Sequence, residues 1–243
     1  MLADAPVVAG LIIFIAYVAV VAVLWRVNRV DYAAIAASRT SVVRGLVVPI
    51  GAGLVLLAAA TTALGWWPEV LSQPRTGPAW LLVLPVLFAV VAIVNVARID
   101  HRALGASRAG LLAGGTLLVG AAEELLARGV LVVAAQEAGW SLTIVWLFST
   151  ALFSLLHAIN VLFGMPWKAM LAQLVMSFLG GTVFFVTLMA TGSLLVGVIV
   201  HALWDFGTLA HQGVGSKPPA LASGGLLLLY LLGIAGIVVL LVA

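Results

Sequence analysis

The residues that could do chemistry are few and lie where charge is expensive. Glu123, Glu124 and Arg128 stand in Gly-Ala-Ala-Glu-Glu-Leu-Leu-Ala-Arg-Gly-Val, residues 120–130, inside a run (109–135) with no other charged residue. His157 ends Phe-Ser-Leu-Leu-His, with Asn160 three residues on, and His201 and Asp205 frame His-Ala-Leu-Trp-Asp. Two imidazoles and three carboxyls in an apolar setting can activate a water, either as general acids and bases or as ligands to a metal.

Helical spacing sorts these groups. Arg128 lies one turn after Glu124 with the acid N-terminal to the base, the better order for an ion pair. Glu123 sits about 100° round the helix from Glu124, so Arg128 cannot align equally with both. A neutralised pair, Glu124–Arg128, beside a carboxylate that still needs partners is the simplest reading. His201 and Asp205 share a face at a separation of four residues, as do Phe153 and His157, and Asn160 could join the latter face.

Membrane helices must position these groups. Of the 243 residues 65% are hydrophobic and 8% charged, with a mean hydropathy of +1.29. A soluble domain carries about 25% charged residues, so the class is an all-α, polytopic transmembrane bundle in a lipid bilayer. Eight spans are expected, at 7–25, 43–64, 79–97, 109–135, 142–163, 169–190, 192–210 and 223–243. They form one integral membrane domain over 1–243, whose motif-bearing core is about 109–210. The N-terminus lacks the basic region of a cleaved signal peptide, so the first span is expected to stay.

The connections 26–42, 98–108, 164–168 and 211–222, with Arg44, hold nine of the 11 Lys and Arg residues; Arg75 and Arg128 are the others. That asymmetry places the four connections in the cytoplasm and both termini outside. The pI of about 9.8 reflects these short loops rather than a dense patch, so nucleic acid is not an expected partner. With no cysteine there are no disulfides, thiolate sites or Cys nucleophile. Tyr32–Ala37 reads as a short helix lying on the cytoplasmic surface or as an ordinary basic loop. Gly110 and Gly114 form a small-xxx-small pattern suited to close helix packing.

At ~1.5 Å per residue, Glu123 lies ~21 Å from the cytoplasmic start of its span and His157 ~9 Å from the cytoplasmic end of its own. His201 and Asp205 come out at ~14 and ~8 Å. One buried polar cavity opening toward the cytoplasm accommodates all four. Individually, each group has a bland reading: a packing histidine, a structural ion pair, an interhelical hydrogen bond from Asn160. Together, three acids and an arginine cost roughly 10–14 kcal/mol on insertion scales. That rivals whole-protein stabilities of ~5–15 kcal/mol, and packing alone does not require it.

The three pieces Glu123-Glu124-x-x-x-Arg128, Phe153-x-x-x-His157 and His201-x-x-x-Asp205 resemble the ordered motifs of the CPBP family. These are the CAAX-protease and bacteriocin-processing intramembrane proteases, which include the Ras-converting prenyl endopeptidases. The resemblance covers about 120–205. It implies an endopeptidase acting on a membrane-associated protein or peptide. Glu123 would activate the water with help from His157, and His201 and Asp205 would orient it or stabilise the oxyanion. Glu124–Arg128 would hold the site together. The third motif ends in Asp where the family also uses Asn, and a carboxylate is a poorer oxyanion donor and a better metal ligand.

Two versions stay open. In one, His157, His201 and Glu123 hold Zn²⁺, with Asp205 completing an ordinary zinc set, and this is the version the residue types favour. In the other, Glu123 is a metal-free general base toward a water shared with His157. The competing functions are a transporter or ion pathway, and an immunity-type scaffold that binds a partner without chemistry. Substrate identity, prenyl recognition and oligomeric state are not encoded in any motif here. The short, Cys-free, Ala- and Arg-rich chain points to a bacterial plasma membrane.

Overall fold

Lipid offers no hydrogen bonds to the backbone, so a chain this apolar must satisfy its peptide groups within helices. The computed structural model describes residues 5–242, and Asp4, expected in the N-terminal tail, lies outside them. Among the described residues seven helices are long and apolar enough to cross a membrane. They are α1 (Pro6–Val27), α2 (Arg39–Leu64), α3 (Ala79–Ala97), α5 (Leu142–Phe163), α6 (Trp167–Thr191), α7 (Leu194–Gly213) and α8 (Ala220–Val242). An eighth helix, α4 (106–137), is longer still and carries Glu123, Glu124 and Arg128 in its middle. The protein is thus an all-α polytopic membrane protein.

The basic connections meet at one end of the bundle. Arg108 donates to the carbonyls of Ala37 and Gly213, Arg39 to Ser107, and Gln212 to Ala33. The opposite end is closed by the Ser72–Gly77 loop against the α6–α7 turn: Gln73 N–H donates to Gly192, Thr76 N–H to Met189, and Arg75 to Thr191. Gly192, at φ 68°, makes the tight reversal that sets α6 and α7 antiparallel.

Helices α4 and α7 form the central pair, with α3, α2 and α6 around them. Their close approach comes at Gly120, where a Cβ would lie 2.7 Å from the Val198 carbonyl oxygen. This corrects the expected role of Gly110 and Gly114, both exposed and facing nothing within 4 Å. The small-residue contact is real but sits one to three turns further along, beside the charged residues.

Of the two readings of the segment after α1, the structure takes the loop. It is no surface helix: Asp31 caps a single 3₁₀ turn, Tyr32–Ala34, and Ile35 and Ala36 are fully buried. An apolar Ile-Ala pair gains more from packing under the bundle end than from lying in the interface. Gly45 makes the room, since a Cβ there would lie 2.4 Å from Ile35.

Candidate active site

The helix carrying Glu123 and Glu124 changes its winding just past them. Ala106–Glu124 is α-helical, Leu125–Val130 is a wide π turn holding Arg128, and Leu131–Glu137 is α-helical again. Such π-bulges are rare and recur at functional sites. Arg128 is 1% exposed and surrounded: Nη1 lies 3.3 Å from Glu124 Oε1, Nη2 donates to the Gly181 carbonyl at 2.9 Å, and the guanidinium lies 4.0 Å over the Phe153 ring. Gly181 is needed there, because a Cβ would stand 3.0 Å from Nη2 and from Phe153.

Glu124 holds more than its arginine. Its Oε1 also accepts from His201 Nδ1 at 2.9 Å. A carboxylate offers no proton, so Nδ1 is the donor and Nε2 is turned the other way. That nitrogen lies 3.8 Å from Glu123 Oε2 and 3.6 Å from Asp205 Oδ2. Phe184, on α6, stacks on the imidazole at 4.8 Å and 20°.

His157 is oriented by a break in its own helix. The α-helix Leu142–Leu156 passes into a 3₁₀ helix, His157–Phe163, and the His157 N–H bonds to Ser154 and Leu155 rather than to Phe153. The freed Phe153 carbonyl accepts from His157 Nδ1 at 3.0 Å, leaving Nε2 3.9 Å from Glu123 Oε2. Phe153 meets both imidazoles edge-on, at 5.3 and 5.9 Å. One aromatic ring therefore fixes the arginine and both histidines.

Glu123, His157, His201 and Asp205 line one cavity of about 370 Å³. Glu123 Oε2 is buried there with no hydrogen-bond partner among the described residues. Asn160 lines it too: in a 3₁₀ helix residues three apart eclipse, so Asn160 stands under His157. It donates to Gln173 Oε1 on α6, the interhelical bond expected of it. All eight residues singled out by spacing, Phe153 included, thus converge on one neighbourhood.

For a metal the donors fit in type and orientation. Each histidine has its Nδ1 engaged and its Nε2 toward the cavity, the arrangement of metal-ligating imidazoles. Their spacing is wider than a bound ion requires, 3.6 Å even for the closest pair, His201 Nε2 and Asp205 Oδ2. Donors at ~2.0–2.1 Å from one tetrahedral ion lie about 3.3 Å apart, whereas the Glu123–histidine separations are 3.8 and 3.9 Å.

Sequence reasoning restricted to ionisable groups misses the residues that wall the cavity: Tyr17, Tyr32, Phe184 and Gln173. Gln173 has a signal, being one of few strongly polar residues within α6. Tyr17 has none, as aromatic residues are ordinary in a span, yet it is buried and its hydroxyl lacks a partner among the described residues.

Neither the curated proteins nor the solved structures gave a significant match. The sequence model of one family, described as type II CAAX prenyl endopeptidase Rce1-like, matches residues 105–207. That segment contains Glu123, Glu124, Arg128, Phe153, His157, Asn160, Gln173, Phe184, His201 and Asp205, whereas Tyr17 and Tyr32 of the cavity wall lie outside it. The motif-bearing core of this integral membrane protein is therefore similar to the type II CAAX prenyl endopeptidase Rce1-like family, in keeping with its CPBP-like motifs.

Proposed function

We propose that the protein hydrolyses a peptide bond of a membrane-associated protein or peptide, with a water activated by Glu123 and no metal. The observation that carries this reading is the unpartnered, buried Glu123 Oε2 facing the Nε2 atoms of His157 and His201 at 3.9 and 3.8 Å. A single water at ordinary hydrogen-bond distance, ~2.8 Å, reaches both Glu123 and His157. Glu123 takes its proton as the water oxygen attacks the carbonyl carbon. His157, with Nδ1–H committed to a carbonyl, offers Nε2 as the second acceptor that orients the water. Glu123 then returns the proton to the leaving amine.

His201 faces the developing oxyanion. Three acids, Glu123, Glu124 and Asp205, stand against Arg128, and a protonated His201 offsets the excess negative charge. In that form both ring nitrogens donate, Nδ1 to Glu124 and Nε2 toward the cavity. Glu124 and Arg128 position this ring rather than touch substrate. Asp205, 25% exposed, stands at the same ring's outer side.

The spacing supports the metal-free version. A metal version would use His157, His201 and Glu123 as ligands, and a bound ion would supply a more acidic water. The asymmetry of basic residues supports a cavity opening toward the cytoplasm, and the Cys-free, Ala- and Arg-rich composition supports a bacterial plasma membrane.

The test is cleavage of a membrane-anchored peptide by purified protein in liposomes, with products identified by mass. Wild type should cleave and Glu123→Gln should not. Equal cleavage by both would end the reading, and solute flux without cleavage would favour the transporter.

A further inference from the structure

Three neutral polar side chains from three separate elements form a directed hydrogen-bond chain at the basic-loop end of the cavity. Asn160 Nδ2 donates to Gln173 Oε1 at 2.9 Å, and Gln173 Nε2 donates to the Tyr32 hydroxyl oxygen at 3.2 Å. All three residues line the cavity. The chain ends in an O–H whose oxygen is already an acceptor and whose proton has no acceptor among the described residues. Burial pushes the Tyr32 hydroxyl up to about 12, so it keeps that proton at any physiological pH. A chain of donors running one way strengthens the last of them.

Its position relative to the chemistry is set by the 3₁₀ helix. Asn160 lies three residues from His157 on the eclipsed face, ~6 Å at a rise of ~2.0 Å per residue. An extended peptide advances ~3.3–3.6 Å per residue. The Asn160 end of the chain therefore lies about two peptide residues from the bond that Glu123 faces.

We infer that Tyr32, Gln173 and Asn160 form a subsite that hydrogen-bonds a carbonyl or carboxylate oxygen of the substrate, about two residues from the scissile bond on the basic-loop side. This rests on the peptidase reading above and adds where the substrate backbone runs. The subsite is neutral and offers a free donor, so it takes an acceptor oxygen rather than a cation. Tyr32 comes from the loop after α1, outside the family-matched segment, so the loop serves the site as well as closing the bundle. Its ring is held independently of its hydroxyl, 5.8 Å from Trp25. Tyr32→Phe therefore removes the donor and keeps the packing.

The experiment uses full-length protein in liposomes and two anchored peptides, one extending four residues past the scissile bond and one ending after the first. A neutral hydrogen bond of ~0.5–1.5 kcal/mol corresponds to about 2–12-fold in affinity. Tyr32→Phe and, as a second variant, Gln173→Met should raise KM for the long peptide by that factor with kcat little changed, the mark of binding shared by ground and transition states. For the short peptide they should change nothing. Amidating a long peptide cut back to two residues separates the sources: loss equal to Tyr32→Phe identifies a terminal carboxylate, and no loss an internal carbonyl. Equal effects on long and short peptides, or no effect on either, would overturn the subsite and leave the peptidase reading intact. If wild type cleaves neither peptide, both fall.

Discussion

His201 and Arg128 share one oxygen. Glu124 Oε1 accepts from His201 Nδ1 at 2.9 Å and lies 3.3 Å from Arg128 Nη1, so a single carboxylate on α4 ties the His201 imidazole on α7 to a guanidinium buried at 1% exposure. The ion pair legible as i, i+4 in the sequence is thus the support on which a histidine from another helix is oriented.

Removing Arg128 leaves that carboxylate buried without its cation, a loss of ~3–5 kcal/mol. Arg128→Leu should therefore lower thermal stability in detergent sharply, and Arg128→Leu with Glu124→Leu should lower it less than the single change. Arg128→Lys cannot reproduce the fork to Glu124 and Gly181 or the stack on Phe153, and should fall between. The unfolding midpoints of the four proteins decide it.

Gly120 and Gly114 should respond oppositely to Ala. At Gly120 the new Cβ meets backbone 2.7 Å away and must part α4 from α7, shifting Glu123 against His201. A misplacement of ~1 Å costs on the order of 10²-fold in rate. Gly114 faces nothing within 4 Å, and Ala there should be neutral or add about 0.5–1 kcal/mol of stability. Cleavage rates and melting midpoints of the two variants check both halves.

Phe153 should behave as a positioning residue. It touches Arg128, His157 and His201 but its ring has no chemistry. Phe153→Leu should reduce kcat by more than its melting midpoint implies, and Phe153→Ala should cost ~3–5 kcal/mol in stability.

Metal content separates the two hydrolytic versions. Purified wild type and His157→Ala should both carry no stoichiometric zinc, and chelation should leave cleavage unchanged. Zinc bound at one equivalent in wild type and lost in His157→Ala would reinstate the metal version suggested by the residue types.

The sequence made the spans legible because twenty-residue apolar runs leave the backbone no alternative to helix, and the expected ends agree with the helices to within about four residues. Glu123, His157 and His201 were legible because charge in lipid demands a reason. Depth along a helix and spacing on its face do not reveal which helices touch, so the Glu124–His201 bond could not be read before the fold. Nor could the switch from α to 3₁₀ winding at His157, which frees the Phe153 carbonyl and brings Asn160 into line. The sequence left the Tyr32 segment open between a surface helix and a loop, because burial of Ile35 and Ala36 depends on Gly45, a tertiary contact with no periodic signature.

The most direct test is a double-mutant cycle on Glu123 and His157, read as single-turnover cleavage of an anchored peptide in liposomes. If both act on one water, Glu123→Gln and His157→Ala should each lower the rate by about 10³-fold or more, and the pair together should lower it little further. Effects that multiply, or a single variant that cleaves as fast as wild type, would contradict a shared hydrolytic water.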